Sequence, residues 1–183
     1  DKTVVVVSAM GGITDHLLSS AALAAAANEQ HKKKLSLIEH RHLEVVKELI
    51  PLTQQSSLLS FVKKSCNEIE DICNGIFMLG ELTARTKDRI AAYGEWLSSC
   101  IISAKLKSAG IDNTWKDARE LIITNSLFTA AEVNFSLTDE NVLRFFSEHN
   151  DSLFIIPGFI ASDANGITTT LGRGGSDYTA SVI

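Results

Sequence analysis

Thr3-Val-Val-Val-Val-Ser-Ala-Met-Gly-Gly-Ile-Thr14 reads as a strand, a glycine turn and the start of a helix. Four valines in a row, with no polar alternation, predict a strand buried on both faces, as in a parallel sheet. Met10-Gly11-Gly12 breaks the strand. Thr14 or Asp15 is then placed to cap a helix through Ala27, a stretch rich in alanine and leucine. Working outward, residues 29–50 place Leu35, Ile38, His42, Val45, Val46 and Leu49 at three- and four-residue steps, an amphipathic helix stopped by Pro51. Residues 57–79, 82–90 and 93–106 repeat that spacing, and Gly110 closes the last helix. Residues 13–109 thus form a long helical insertion between strands. Short strands return at 113–115 and 121–124, residues 125–135 look irregular, and a helix is expected over 137–149 with Thr138 as its cap. A buried strand follows at 153–156. A hairpin joins 159–161 to 167–170 through Asp163-Ala-Asn-Gly166. Strands separated by helices give an α/β fold.

The chain has 183 residues, 17 Lys plus Arg against 22 Asp plus Glu, a formal charge of −5, and 45% apolar residues. That content excludes disorder as the main state. An acidic balance without a basic, aromatic-interleaved stripe argues against nucleic acid as a partner. The apolar runs Val4–Val7 and Ala21–Ala27 fall far short of the ~20 residues a bilayer helix needs, so no membrane partner is expected. Cys66, Cys73 and Cys100 form no CxxC pair, and an odd count with no secretory signal makes the cytoplasm the expected compartment. Asp at position 1 and an apolar helical run at the other end suggest an excerpt from a longer protein.

The strongest chemical feature is Thr168-Thr-Thr-Leu-Gly-Arg-Gly-Gly-Ser-Asp177. Three glycines in four residues free backbone N–H groups to turn toward one point, and the following helix adds the positive end of its dipole. A plain turn has no need of the cation Arg173, which can grip a carboxylate or phosphate in two-pronged fashion. Asp177 can cap the helix or face a metal or a lysine. Ser8 to Thr14 has the same layout of strand, glycine pair and helix. In open α/β sheets ligands bind off the carboxyl ends of strands, so the two loops can converge on one crevice. Neither Gly-Lys-Ser/Thr nor GxGxxG occurs. His40 and His42 face different sides of a helix, the other histidines are isolated, and no metal ligand is directly identifiable. Glu81 and Glu95 each follow a glycine beside apolar helical residues. Without other information both read as surface glutamates, although a partly buried one would need a cation, such as a substrate ammonium.

Together, Val4 to Asp15, Tyr93-Gly-Glu-Trp-Leu-Ser98 and Pro157 to Ala180 resemble the aspartate kinases of the amino-acid kinase family, in order and spacing, over essentially the whole chain. Leu79 to Ile90 is more similar to the bifunctional enzymes that fuse this kinase to homoserine dehydrogenase. The resemblance implies a three-layer α/β/α sandwich around a mainly parallel sheet, with 1–183 one incomplete kinase domain supplying the amino-acid-binding lobe. The implied reaction moves the γ-phosphoryl of ATP to the side-chain carboxylate of L-aspartate. That nucleophile is ionised at pH 7, so no general base is required. The task is holding two anions in line and neutralising their charge.

By the same resemblance Arg173 pairs with a substrate carboxylate and Glu95 takes the ammonium. Ser8, Thr14, Phe159, Gly174 and Ser176 shape the amino-acid pocket. Gly11, Gly12, Gly175 and Asp177 lie toward the phosphates, with Asp177 positioning a lysine or Mg²⁺. Glu81 has no role. ATP with Mg²⁺ is implied, NADP only if a dehydrogenase half exists, and the family commonly forms homodimers or larger homo-oligomers. The family's Lys-Phe-Gly-Gly segment belongs before Asp1 and its second lysine after Ile183, so these residues alone are expected to lack activity. Trp96 stands where the family often has arginine, and Pro157 where a polar residue is common. The alternatives are a non-catalytic amino-acid-binding module, or a glutamate or nucleotide kinase of the same fold.

Overall fold

The computed structural model describes residues 2–183. Its elements run β1 (Thr3–Val7), α1 (Ile13–Ala25), α2 (Gln30–Leu49), α3 (Gln55–Leu79), α4 (Ala84–Ala91), α5 (Tyr93–Ser108), β2 (Thr114–Trp115), β3 (Ile123–Thr124), α6 (Phe135–Glu148), β4 (Leu153–Pro157), β5 (Ile160–Asp163), β6 (Thr168–Thr170) and α7 (Gly175–Val182). The expected strands and helices are present, and the fold is α/β. Among the described residues the strands fall into two three-stranded sheets rather than one. The first is parallel, in the order β1-β4-β2, with both Val5 and Trp115 opposite Ile155. In the second, β5 pairs parallel with β3 and antiparallel with β6.

β4 is the central strand, and Phe154, Ile155 and Ile156 are fully buried. β1 lies at an edge, and Val5 is 38% exposed. The valine run therefore marks a parallel strand, but burial on both faces belongs to β4. Successive side chains of β4 serve opposite layers. On one face Trp115 Nε1, level with Ile155, donates to Ser99 Oγ of α5 at 2.9 Å. On the other, Phe154 meets Phe145 and Phe146 of α6 edge-on, with ring centroids 5.5 and 5.0 Å apart. Helices α1, α2, α3 and α5 share a second core built on Leu17, Ile38, Val46, Val62, Ile69, Leu97 and Ile101.

Two expected helix caps are elsewhere. α1 begins after Gly12, which is left-handed (φ 78°) and offers no side-chain cap; Thr14 and Asp15 sit inside the first turn. The turn out of β1 requires a backbone that glycine alone adopts without strain. α6 is capped by Asn134, whose side chain accepts from the Leu137 N–H at 3.2 Å. Thr138 lies a turn further in, and its Oγ1 accepts from the Ile123 N–H at 3.0 Å, tying α6 to β3. No described helix is long and apolar enough to cross a membrane.

Candidate active site

The parallel register sets the carboxyl ends of β1 and β4 side by side, with Val7 opposite Pro157. Beyond them the chain turns at both strands, and Gly158 N–H donates to Val7 O at 2.9 Å. The loops after β1, β4 and β6 and the first turn of α5 enclose a cavity of about 420 Å³. Its size lies in the range of ~300–1,000 Å³ common for small-molecule sites.

The first loop contributes Ser8, Gly11, Gly12 and Thr14 to the lining, the Gly-Arg loop and α7 contribute Arg173, Gly174, Gly175, Ser176 and Asp177, and Glu95 and Phe159 complete it. The structure thus brings together all the residues to which the family resemblance gives a role, from segments as far apart as β1 and α7. Ala9, Met10, Asp15 and Gly172 also line the cavity, Gly172 as the first glycine of the Gly-Arg loop. Glu81 lies outside it, in a separate groove.

Close approaches hold the walls in place. A Cβ on Gly158 would sit 2.7 Å from the Ser176 Cα, and one on Gly94 would sit 2.9 Å from the Ala9 Cβ. These glycines let α7 and α5 touch the loops after β4 and β1. Ser98 Oγ donates to Ser8 O at 2.6 Å, a second tie between α5 and the first loop. Phe159 is a non-glycine residue at φ 66°. Its N–H donates to Thr179 Oγ1 at 3.0 Å and its carbonyl accepts from Leu171 N–H at 2.9 Å. Such a backbone costs ~1–3 kcal/mol and persists only where its surroundings fix it. Here the fixing groups are α7 and the segment entering the Gly-Arg bend. Gly172 and Gly174 are both left-handed, at φ 73° and 75°, which turns the chain sharply on either side of Arg173.

The electrostatics are asymmetric. Glu95 is 5% exposed, and its Oε2 has no hydrogen-bond partner. Burial pushes its carboxyl up to about 7, although the Ala9 and Glu95 amides pull the other way. A buried carboxylate with a free oxygen is a demand for a cation or a donor. Arg173, which lines the same cavity, is exposed and is in no ion pair among the described residues. The same cavity therefore holds one group that wants a positive partner and one that wants a negative partner.

Sequence reading missed Asp88. It is 1% exposed on α4, and its carboxylate accepts from Thr170 N–H (3.1 Å), Thr170 Oγ1 (2.7 Å) and Thr129 N–H (2.8 Å). It anchors the strand that runs into the Gly-Arg bend. In sequence it sits in Arg85-Thr-Lys-Asp-Arg89, which looks like a solvated helix face, so no local signal marks it.

A family model described as the amino acid kinase family matches residues 1–183. Aspartokinase 1, chloroplastic, of Arabidopsis thaliana is 34% identical over 190 residues, covering all of this chain and 32% of that protein. The bifunctional aspartokinase/homoserine dehydrogenase 1, chloroplastic, of the same plant is 27% identical over 184 residues, covering all of this chain and 20% of its own length. The solved Escherichia coli aspartokinase III, in complex with aspartate and ADP, superposes with a TM-score of 0.87 at 29% identity, over 98% of this chain and 39% of that one. The chain therefore spans between a fifth and two fifths of the relatives it matches.

Proposed function

This chain belongs to the amino acid kinase family, and on that premise we propose that it forms the amino-acid-binding part of an aspartate kinase. The reaction transfers the ATP γ-phosphoryl to the side-chain carboxylate of L-aspartate, giving 4-phospho-aspartate. One observation carries the reading. The unpartnered, buried Glu95 Oε2 and the exposed Arg173 line the same small cavity. That arrangement suits a ligand with an ammonium at one end and a carboxylate at the other. A phosphate alone would leave Glu95 unanswered.

In this reading the aspartate ammonium enters against Glu95 and donates to its ionised carboxylate, whose free Oε2 it satisfies. Arg173 takes a carboxylate, held out into the cavity by its flanking left-handed glycines. Ser8, Thr14 and Ser176 supply hydroxyls, and Phe159 and Gly174 close the pocket around the ligand. The N–H groups of Gly11 and Gly12 face the phosphoryl group, where amide dipoles stabilise charge that develops in transfer; Gly175 lies beside them with its own N–H donated to Gly172 O at 3.1 Å. Because the attacking carboxylate is already ionised, positioning and charge neutralisation account for the catalysis, with Arg173 and Asp177 as the proposed catalytic residues.

Mg²⁺ keeps several waters and asks for only one or two protein carboxylates beside substrate phosphates. Asp177 and Asp15 line this cavity and fit that donor set. When bound, the ion would neutralise phosphate charge. We further propose a homo-oligomeric protein of the cytoplasm; the free thiols of Cys66, Cys73 and Cys100 suit a reducing compartment. A second reading adds a homoserine dehydrogenase half that uses NADP. It is favoured by the full-chain match to a bifunctional enzyme and is decided by whether a dinucleotide-binding fingerprint follows downstream.

The test is an assay of the whole protein with aspartate, ATP and hydroxylamine. Aspartyl hydroxamate is expected. Turnover of glutamate or a nucleoside monophosphate instead moves the protein to another branch of the family, and ligand binding without turnover makes it a binding module. Arg173→Ala is expected to raise the aspartate KM by at least tenfold, since unpairing one member of a charge pair costs ~2–5 kcal/mol when the pair is desolvated. An unchanged KM removes Arg173 from the site.

A further inference from the structure

A second and larger cavity, about 740 Å³, lies between the end of α3, α4 and the β5–β6 turn. It shares no lining residue with the cavity described above. We propose that it is a binding site for a small organic anion with an apolar body.

Three independent features carry this. The first is charge. Arg85 and Arg89 are one helical turn apart and therefore lie on the same side of α4. Both line the cavity, both are exposed, and neither is in an ion pair among the described residues. Glu81 lines it as well, so these three side chains leave one net positive charge. Thr83, Thr86 and Thr168 also line it, the first two with their hydroxyls bonded to one another at 2.8 Å.

The second feature is an apolar floor, in which Ile76 is buried and Ile72 and Ile167 are half-buried. Ile72, Ile76 and Ile167 line the cavity, and Leu79 at its edge is 80% exposed. A purely ionic ligand would have no use for that surface, whereas an aliphatic or aryl tail would bury it.

The third is Gly75. It sits inside α3, where glycine costs ~1 kcal/mol relative to alanine. Close packing does not explain it, because a Cβ there would meet nothing within 4 Å. The missing side chain leaves the floor of the cavity open. The anion's head belongs at Arg85 and Arg89, and its body along the α3 face that Gly75 leaves bare.

The experiment is an amide-resolved NMR titration of the full chain with octanoate, and with 1-octanol as the uncharged counterpart. Octanoate is expected to saturate, with shifts concentrated in residues 72–89 and 166–168, and to bind at least tenfold more tightly than 1-octanol. The double variant Arg85→Gln/Arg89→Gln is expected to weaken octanoate about tenfold. Gly75→Leu keeps both charges and fills the floor; it is expected to abolish binding while leaving the thermal midpoint unchanged or raised. Octanoate binding equally well to the parent and both variants, or shifts centred elsewhere, would overturn the proposal.

Discussion

Glu95 is the residue on which the site turns. Its carboxyl stands near 7 because burial disfavours its charged form. In the unfolded chain it would titrate near its ordinary value of 4.5. Between those two points the folded chain holds a proton that the unfolded chain does not. Stability therefore falls as pH rises from about 4.5 to 7, and the carboxylate is a liability to the free chain above that. Glu95→Gln is expected to stabilise the ligand-free protein at pH 8 by up to about 3 kcal/mol, and to flatten this part of the profile. Urea melts at pH 5 and pH 8 check it; equal stability of parent and variant at pH 8 contradicts the burial argument. The same carboxyl gives ligand binding the opposite slope. An ammonium needs the ionised form, so aspartate affinity should rise about tenfold per pH unit below 7 and level off above it. Calorimetry across pH 5.5–8.5 reads this directly, and a profile unchanged in Glu95→Gln would count against the pairing.

At the scale of elements, the decisive contact is the seam between α4 and β6. Asp88 accepts three hydrogen bonds there, two of them from Thr170, the residue before the Leu171-Gly-Arg bend. Asp88→Ala would strand the Thr170 N–H and hydroxyl in a buried place and the Thr129 N–H in a half-buried one. Orphaned donors cost ~1–3 kcal/mol each, so a loss of several kcal/mol is expected. Thermal melts and amide exchange at residues 168–174 give the measure; a loss below about 1 kcal/mol would mean that water reaches the seam. A second element-scale consequence concerns α2. His42 is fully buried, its Nδ1 lies 2.7 Å from Ile38 O, and its Nε2 has no partner. Burial lowers its pKa. The unfolded chain takes up the proton first, so stability contributed by neutral His42 is lost as pH falls through about 6.5. His42→Leu is expected to hold its stability between pH 7 and 5 better than the parent. Parallel losses in both would clear this side chain. Element positions were readable because the apolar spacing of α2 and α3 and the glycine breaks survive in the folded chain. Cap identity was not. A cap depends on where the preceding turn delivers the chain, as Gly12 and Asn134 illustrate, and Thr138 was claimed by a tertiary bond to β3. Asp88 was invisible for a related reason. Its partners lie 41 and 82 residues away.

For the whole molecule, the fold's work is to carry the loops after β1 and β6 to one place. The parallel pairing of β1 with β4 sets the level of the first loop, and the hairpin returns β6 beside Phe159 so that the second loop faces it. The sequence motifs gave the residue types on both walls. What they did not contain was the closeness of α5, which depends on Gly94 against Ala9 and on Ser98 reaching Ser8 O. That closeness buries Glu95 and turns a glutamate otherwise readable as a surface residue into the negative end of the cavity. The most direct test is a crystal structure of the intact protein with L-aspartate and a non-hydrolysable ATP analogue. The ammonium should lie within hydrogen-bonding distance of Glu95 Oε2, with a carboxylate on the Arg173 guanidinium. Aspartate seated away from both side chains, with Glu95 Oε2 still unpartnered, would contradict the account.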